Sequence, residues 1–172
     1  MMFLVRAERS GDEAPIADVT RRAFEHHPHS KQTEHFIVER LRQQGALEIS
    51  LVAEMDEMIV GHIAFSPIGM SGGADGWFGL GPVSVDTAYQ RQGIGRALIE
   101  AGLAKLREQG AAGCVVMGDP DFYQKFGFLH QIQLKLPDCA PQYFLALGLS
   151  GPVPSGIVAY HAAFYGGAEQ TA

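Results

Sequence analysis

The segment Gln90-Arg91-Gln92-Gly93-Ile94-Gly95-Arg96 lies where the apolar run Val83–Val85 gives way to a helical pattern. Glycine loses more freedom on folding than any other residue, so two glycines at a helix start are unfavourable on their own. They make sense if something must lie against bare backbone. A strand that turns into a helix presents free N–H groups at the positive end of the helix dipole. That is an anion site, most often for phosphate. A Walker loop needs GxxxxGK followed by Ser or Thr, and no segment fits it. The dinucleotide fingerprint needs a third small residue, but Arg96, Ala97 and Leu98 follow Gly95. That motif also opens the first strand–helix unit of its fold, whereas here the turn follows the fourth strand.

Other reactive residues are sparse. His26, His27 and His29 cluster around Pro28, but their spacing fits no common zinc pattern. They read as a solvated loop, and no metal is expected. The two cysteines, Cys114 and Cys139, lack a CxxC neighbour, so neither a metal knuckle nor a disulfide framework is indicated. Cys114 lies in an apolar run and reads as a buried thiol.

The elements that must position the turn follow from periodicity. Met2–Ala7 reads as a first strand. Ser10 and Glu13 have the spacing of a capping box before a helix carrying Ile16, Val19, Ala23 and Phe24. Pro28 ends that helix. Ser30 is a candidate cap for a second, with Thr33, Ile37 and Leu41 on one stripe and Gly45 as its stop. Leu47, Ile49, Leu51, Ala53 and Met55 alternate along a strand that pairs in a hairpin with Ile59–Ile68. A Gly-rich loop leads to a long strand, Trp77–Val85, with Gly81-Pro82 marking a bulge or an edge. The helix after the turn ends at Gly110. Ala112–Gly118 reads as a strand covered on both faces. A short helix at Asp119–Phe126 precedes two weaker strands near Tyr143–Leu147 and Gly156–His161. The expected order is β-α-α-β-β-β-α-β-α-β-β, an α/β fold with a mixed sheet and helices on both faces. At 172 residues, 47% apolar, 19% charged and with a net charge of −6, the chain reads as one globular domain spanning 1–172. The acidic balance argues against a nucleic-acid partner. No run reaches the length of a membrane span, and the N-terminal run is too short for a signal-peptide core, so the cytoplasm is expected.

The turn, with the strand GPVSV before it, resembles the Q/R-x-x-G-x-G/A pyrophosphate loop of the GNAT superfamily, the acyl-CoA-dependent N-acetyltransferases. Asp121–Phe128, DFYQKFGF, is similar to that family's second signature, aromatic-Tyr-x-Lys-x-Gly-Phe. The element order matches the family core from residue 3 to about residue 148, with a C-terminal strand near 156–164. Together these segments look like a small bacterial branch of predicted acetyltransferases.

The resemblance implies a GNAT fold, with a central, mostly antiparallel mixed sheet and a splayed strand pair. It implies acetyl-CoA as co-substrate, with its pyrophosphate on the loop Gln90, Arg91, Gln92, Gly93, Ile94, Gly95 and Arg96. The pantetheine arm would follow Val83, Ser84 and Val85 past a bulge at Gly81-Pro82. Tyr123 falls on the family's tyrosine, the candidate to protonate the departing thiolate. Phe122, Phe126 and Phe128 read as core. For the base the candidates are Asp86, His62, Glu54 or a water chain, because Phe78–Val85 contain no carboxylate. The loop between the first two helices and the segment Pro137–Gly156 would border the acceptor. The implied reaction moves an acetyl group to a primary amine of a small molecule or peptide by direct attack, with no membrane or nucleic-acid partner; a homodimer is open. A second reading is a non-catalytic acyl-CoA-binding sensor or scaffold.

Overall fold

The computed structural model describes residues 2–28 and 30–165. The expected His29 of the histidine loop and residues 166–172 lie outside them. In chain order the elements are β1 (Leu4–Ala7), α1 (Glu13–Phe24), α2 (Glu34–Gln43), β2 (Ile49–Met55), β3 (Met58–Pro67), β4 (Gly69–Met70) and β5 (Trp77–Val85). There follow α3 (Ile94–Glu108), β6 (Gly113–Met117), α4 (Pro120–Tyr123), β7 (Leu129–His130), β8 (Leu134–Lys135), β9 (Phe144–Gly148) and β10 (Gly156–Ala159).

The β2–β3 hairpin forms as its alternation predicts, pairing Met55 with Met58 around a turn in which Asp56 and Glu57 both have positive φ. Its two faces are covered differently. Ile49, Leu51, Ala53, Ile63 and Phe65 pack in one core with Leu98, Ile99, Leu103 and Leu106 of α3. Val52, on the opposite face, packs with Ile16 of α1 and Val38 of α2. Helices therefore cover both faces.

The main sheet has the order β1-β2-β3-β5-β6-β9-β7. The β5–β6 pair is parallel and the others are antiparallel. The helix α3 makes the crossover between β5 and β6. A second sheet, β4-β10-β8, lies apart from it. The short strands β4, β7 and β8 are absent from the expected order because two residues show no period. The C-terminal strand stops at Ala159, and Ala162–Tyr165 form a 3-10 turn instead of continuing it.

Two expected caps are used otherwise. The first helix starts at Glu13 with Asp12 at the cap position, and Ser10 and Glu13 do not form a capping box. Asp12 accepts hydrogen bonds from the Arg9 amide and the Arg6 guanidinium, and Glu13 accepts from the Gly11 amide. The competing cation, Arg6, draws Asp12 away from the helix amides. In α2 the cap position is Thr33, not Ser30. The Ser30 hydroxyl donates to the Glu34 carboxylate and accepts from the Gln32 amide. Gly45, with φ +69°, stops α2 as expected. Among the described residues no helix is long and apolar enough to cross a membrane.

Gly102 sits in the middle of α3, where glycine costs about 1 kcal/mol relative to alanine. The Phe65 ring of β3 occupies the space that a Cβ at Gly102 would fill. Gly102→Ala is therefore expected to lower stability by about 1–3 kcal/mol through overpacking, despite the better helix propensity. Thermal unfolding checks this, and a higher Tm in the variant would show that the ring yields.

Candidate active site

The turn between β5 and α3 begins at Asp86, whose carboxylate accepts from the Ala88 amide and pairs with Arg22 at 2.9 Å. The backbone then passes through two left-handed residues, Arg91 (φ +66°) and Gly93 (φ +84°). The first intrahelical hydrogen bond of α3 runs from Ala97 N to Gly93 O. Among the described residues, the amides of Arg91 to Arg96 donate to no acceptor in the chain. This is the row of bare donors that a helix start leaves. A Cβ at Gly95 would meet only Val85 Cγ2, at 3.7 Å, so the protein's own packing does not exclude a side chain there. Arg91 and Arg96 are exposed, and Arg96 forms an ion pair with Glu100 at 3.3 Å. Gln90 folds back and donates to Val85 O at 3.2 Å.

Above the turn the sheet opens. β5 and β6 pair through Trp77–Gly113, Phe78–Cys114 and Gly79–Val115 and then part. On its other edge β5 stays paired with β3, but between Leu80 and Val83 it has two residues, Gly81 and Pro82, opposite the single Ala64. This is the expected bulge, and a bulge bends its strand away from a neighbour. The backbone of Leu80–Val85 is left unpaired on the β6 side. A cavity of about 580 Å³ fills the gap, lined by Leu80–Val85 and Gln90 on one wall and by Val116, Met117, Gly118, Asp119 and Tyr123 on the other.

Tyr123 reaches this gap because of the short sequence Gly118-Asp119-Pro120. Asp119 caps α4, accepting from the Asp121 amide, and Pro120 takes the first helical position. The Tyr123 ring lies over Gly118 so closely that a Cβ there would overlap it. Phe122 and Phe128 hold the ring edge-on, with centroids at 5.0 and 5.9 Å, and Phe126 joins the same apolar cluster. Burial pushes the phenol up to about 12, so it stays protonated at neutral pH. Among the described residues its hydroxyl has no hydrogen-bond partner.

The three candidate bases lie elsewhere. Glu54 pairs with Arg6 and Arg9 on β2, and Asp86 is engaged as described. His62 is fully buried on β3, paired across the ladder with Ser84, and does not line the cavity. Ser50 gives its single proton to Glu8 at 2.7 Å and therefore accepts from His62 Nε2–H at 2.8 Å. Nδ1 is left as a bare lone pair without a partner. Burial pushes this histidine down to about 4, so it is neutral. Ser84 lines the cavity, with its hydroxyl 3.3 Å from that of Thr20.

The remaining wall was legible in the sequence only in part. It is formed by Ala23, Phe24 and His27 at the end of α1, Glu34 and Ile37 of α2, and Tyr160 and Phe164 beyond β10. The loop between the first two helices borders the cavity as expected. The segment Pro137–Gly156 does not, because β9 pairs with β6 on its far side from β5. Tyr160 takes its place: its ring covers Gly79, and its buried hydroxyl has no partner among the described residues. Arg40 of α2 donates to Ala163 O at 2.9 Å and ties the 162–165 turn to the helix.

A parallel strand pair that splays beside a bare-amide helix start defines an acyl-CoA-dependent acyltransferase architecture. The comparisons with known proteins agree. Residues 46–129 match the model of the acetyltransferase (GNAT) domain. The N-acetyltransferase YhbS of Escherichia coli K12 is 39% identical over 127 residues, 73% of either chain. A GNAT family acetyltransferase from Brucella melitensis, solved in complex with acetyl-CoA, superposes with a TM-score of 0.84 at 48% identity, covering 95% of this chain and 98% of that one. The structure of E. coli YhbS in complex with CoA gives a TM-score of 0.85 at 35% identity, covering 95% and 92%. The chain belongs to the GNAT acetyltransferase family.

The buried neutral His62 makes a pH prediction. In the unfolded chain a histidine takes up its proton near pH 6.5, whereas in the fold it does so only near 4. The unfolded state thus binds more protons in this window. The stabilisation is complete above about pH 6.5 and is lost as pH falls towards 4, on the order of 3 kcal/mol in total. Thermal unfolding of the parent should show Tm falling between pH 6.5 and 5, and His62→Asn should flatten most of that slope. A flat parent profile in this window would contradict the neutral buried state.

Proposed function

We propose that this enzyme transfers the acetyl group of acetyl-CoA to a primary amine by direct attack. The observation that carries the reading is the opening of β5 from β6 between a row of bare amides and a protonated, buried tyrosine. The amides of Arg91–Arg96, at the positive end of α3, suit a pyrophosphate. The unpaired edge of Leu80–Val85 suits the amides of a pantetheine arm, which would add to the sheet as a strand does. The complexes of the Brucella relative with acetyl-CoA and of E. coli YhbS with CoA support this ligand class.

In the proposed reaction the amine nitrogen attacks the thioester carbon. A backbone N–H of β5 beside the bulge donates to the oxyanion, a kind of contact worth about 3 kcal/mol. The carbon–sulfur bond breaks, and the Tyr123 hydroxyl gives its proton to the departing thiolate. Tyr123 regains a proton from the acylated nitrogen. Burial suits Tyr123 to this task because it keeps the phenol in its donating form until negative charge develops beside it.

Thiol release from acetyl-CoA across a panel of amines tests the proposal. Binding of acetyl-CoA without turnover on any amine would instead indicate a sensor or scaffold module. Gly95→Glu should abolish coenzyme A binding in calorimetry while leaving the unfolding transition largely unchanged, since a Cβ has room there. Binding as tight as the parent's would remove the turn from the site. Tyr123→Phe keeps the ring and should lower kcat by roughly one to three decades, with little change in affinity for acetyl-CoA. Unchanged pre-steady-state chemistry would remove Tyr123 from the mechanism.

A further inference from the structure

The acceptor side of the cavity carries an unusual balance of charge. Among the described residues, no lysine or arginine lines it. The carboxylates are Glu34 and Asp119, and Asp119 is engaged in capping α4. Glu34 is left. It stands in the first turn of α2, half-buried, beside Phe24 and Ile37 and in the same cavity as Phe164. The Ser30 hydroxyl lies 2.8 and 2.7 Å from its two oxygens, and its single proton serves one at a time. The Gln32 amide holds Ser30 in turn. Among the described residues no cation forms an ion pair with Glu34. An oriented carboxylate without a counter-ion, set in an apolar wall, is an incomplete arrangement that a cationic ligand completes.

Resting on the acetyltransferase reading, we infer that the acceptor is a small cationic amine on an apolar body, with no carboxylate next to its nitrogen, and that Glu34 binds its ammonium group. Phe24, Ile37 and Phe164 take the apolar body. Among the described residues the wall offers no lysine or arginine to an acceptor carboxylate, and its one histidine, His27, is engaged in an interaction of its own; burying such a charge unpaired is unfavourable. Glu34 also receives the first proton. The ammonium gives one proton to the carboxylate, which passes it to solvent, and the neutral amine attacks. Of the two remaining N–H protons, one is lost as the thiolate is protonated through Tyr123 and one stays in the amide product. The sum is ammonium plus thioester giving amide, thiol and one released proton.

Matched probes test the inference: 2-phenylethylamine, and phenylalanine, which adds a carboxylate to the same body. The parent enzyme should acetylate 2-phenylethylamine with a kcat/KM about tenfold or more above that for phenylalanine. Glu34→Gln should lower kcat/KM for 2-phenylethylamine by roughly ten- to a hundredfold, the range for a lost hydrogen bond to a charged group. Its affinity for acetyl-CoA should match the parent's, which also shows that the variant is folded. Glu34→Asp, which keeps the charge, should recover part of the loss. Calorimetry of 2-phenylethylamine with coenzyme A bound gives a readout independent of turnover, and Glu34→Gln should weaken this binding by a similar factor. Equal or better use of phenylalanine, or Glu34→Gln kinetics like the parent's, would overturn the inference and leave the transferase reading standing. Glu34-dependent amine binding without any acetyl transfer would do the reverse.

Discussion

The fold turns on one constraint: a strand in the middle of the sheet must leave half of its backbone unpaired. β5 is held along one edge by β3, yet its other edge leaves β6 after Gly79. Extended backbone in that position demands partners, because buried N–H and C=O groups are seldom left alone. The extra residue at Gly81-Pro82 provides the bend, and β3 supplies enough pairing to keep β5 extended through it. Every other part of the site is arranged around the resulting gap. The turn to α3 closes one end, Gly118 and Tyr123 form a wall, and α1 and α2 form the opposite one.

The two halves of the site differ in how they are encoded, and this explains what could be read from the residues. The β5–α4 side of the cavity is nearly continuous in the chain, from Gly79 to Tyr123. Its requirements are local: glycines where the backbone must be bare, a left-handed Gly93 before α3, an Asp-Pro start to α4. Local requirements leave local patterns, so the turn, the bulge and the tyrosine were visible. The other side is assembled from residues 23–37 and 160–164, which meet only in three dimensions. Glu34 leaves no mark in the sequence, because nothing adjacent to it signals a pocket. Pro137–Gly156 was read as a wall because its prolines suggested shape, whereas its strand serves the far side of β6.

The misplaced caps make a related point. Ser10 and Ser30 both stand at plausible cap positions, yet neither caps its helix. Charged groups nearby take the cap residues instead. Arg6 holds Asp12 across the β1–α1 junction, and Glu34 engages the Ser30 hydroxyl. A sequence motif registers which groups are near in the chain, while the hydrogen bond goes to the strongest partner near in space. His62 illustrates the same limit. Its place in the second strand of the hairpin was legible. Only the fold shows that Ser50, itself held by Glu8, binds one nitrogen and that the other lacks a partner among the described residues.

The tie between Arg40 and Ala163 has a consequence for the order in which the molecule is made. The sheet, the turn and the tyrosine are complete once β9 has left the ribosome, whereas Tyr160 and Phe164 emerge later. The strands and the turn on one side of the cavity are therefore synthesised before the residues that complete its other side. Arg40, a buried cation with only one of its nitrogens engaged, waits on α2 for a carbonyl that is synthesised more than a hundred residues later. The side of the cavity formed by Tyr160 and Phe164 is thus the last of its walls to be synthesised.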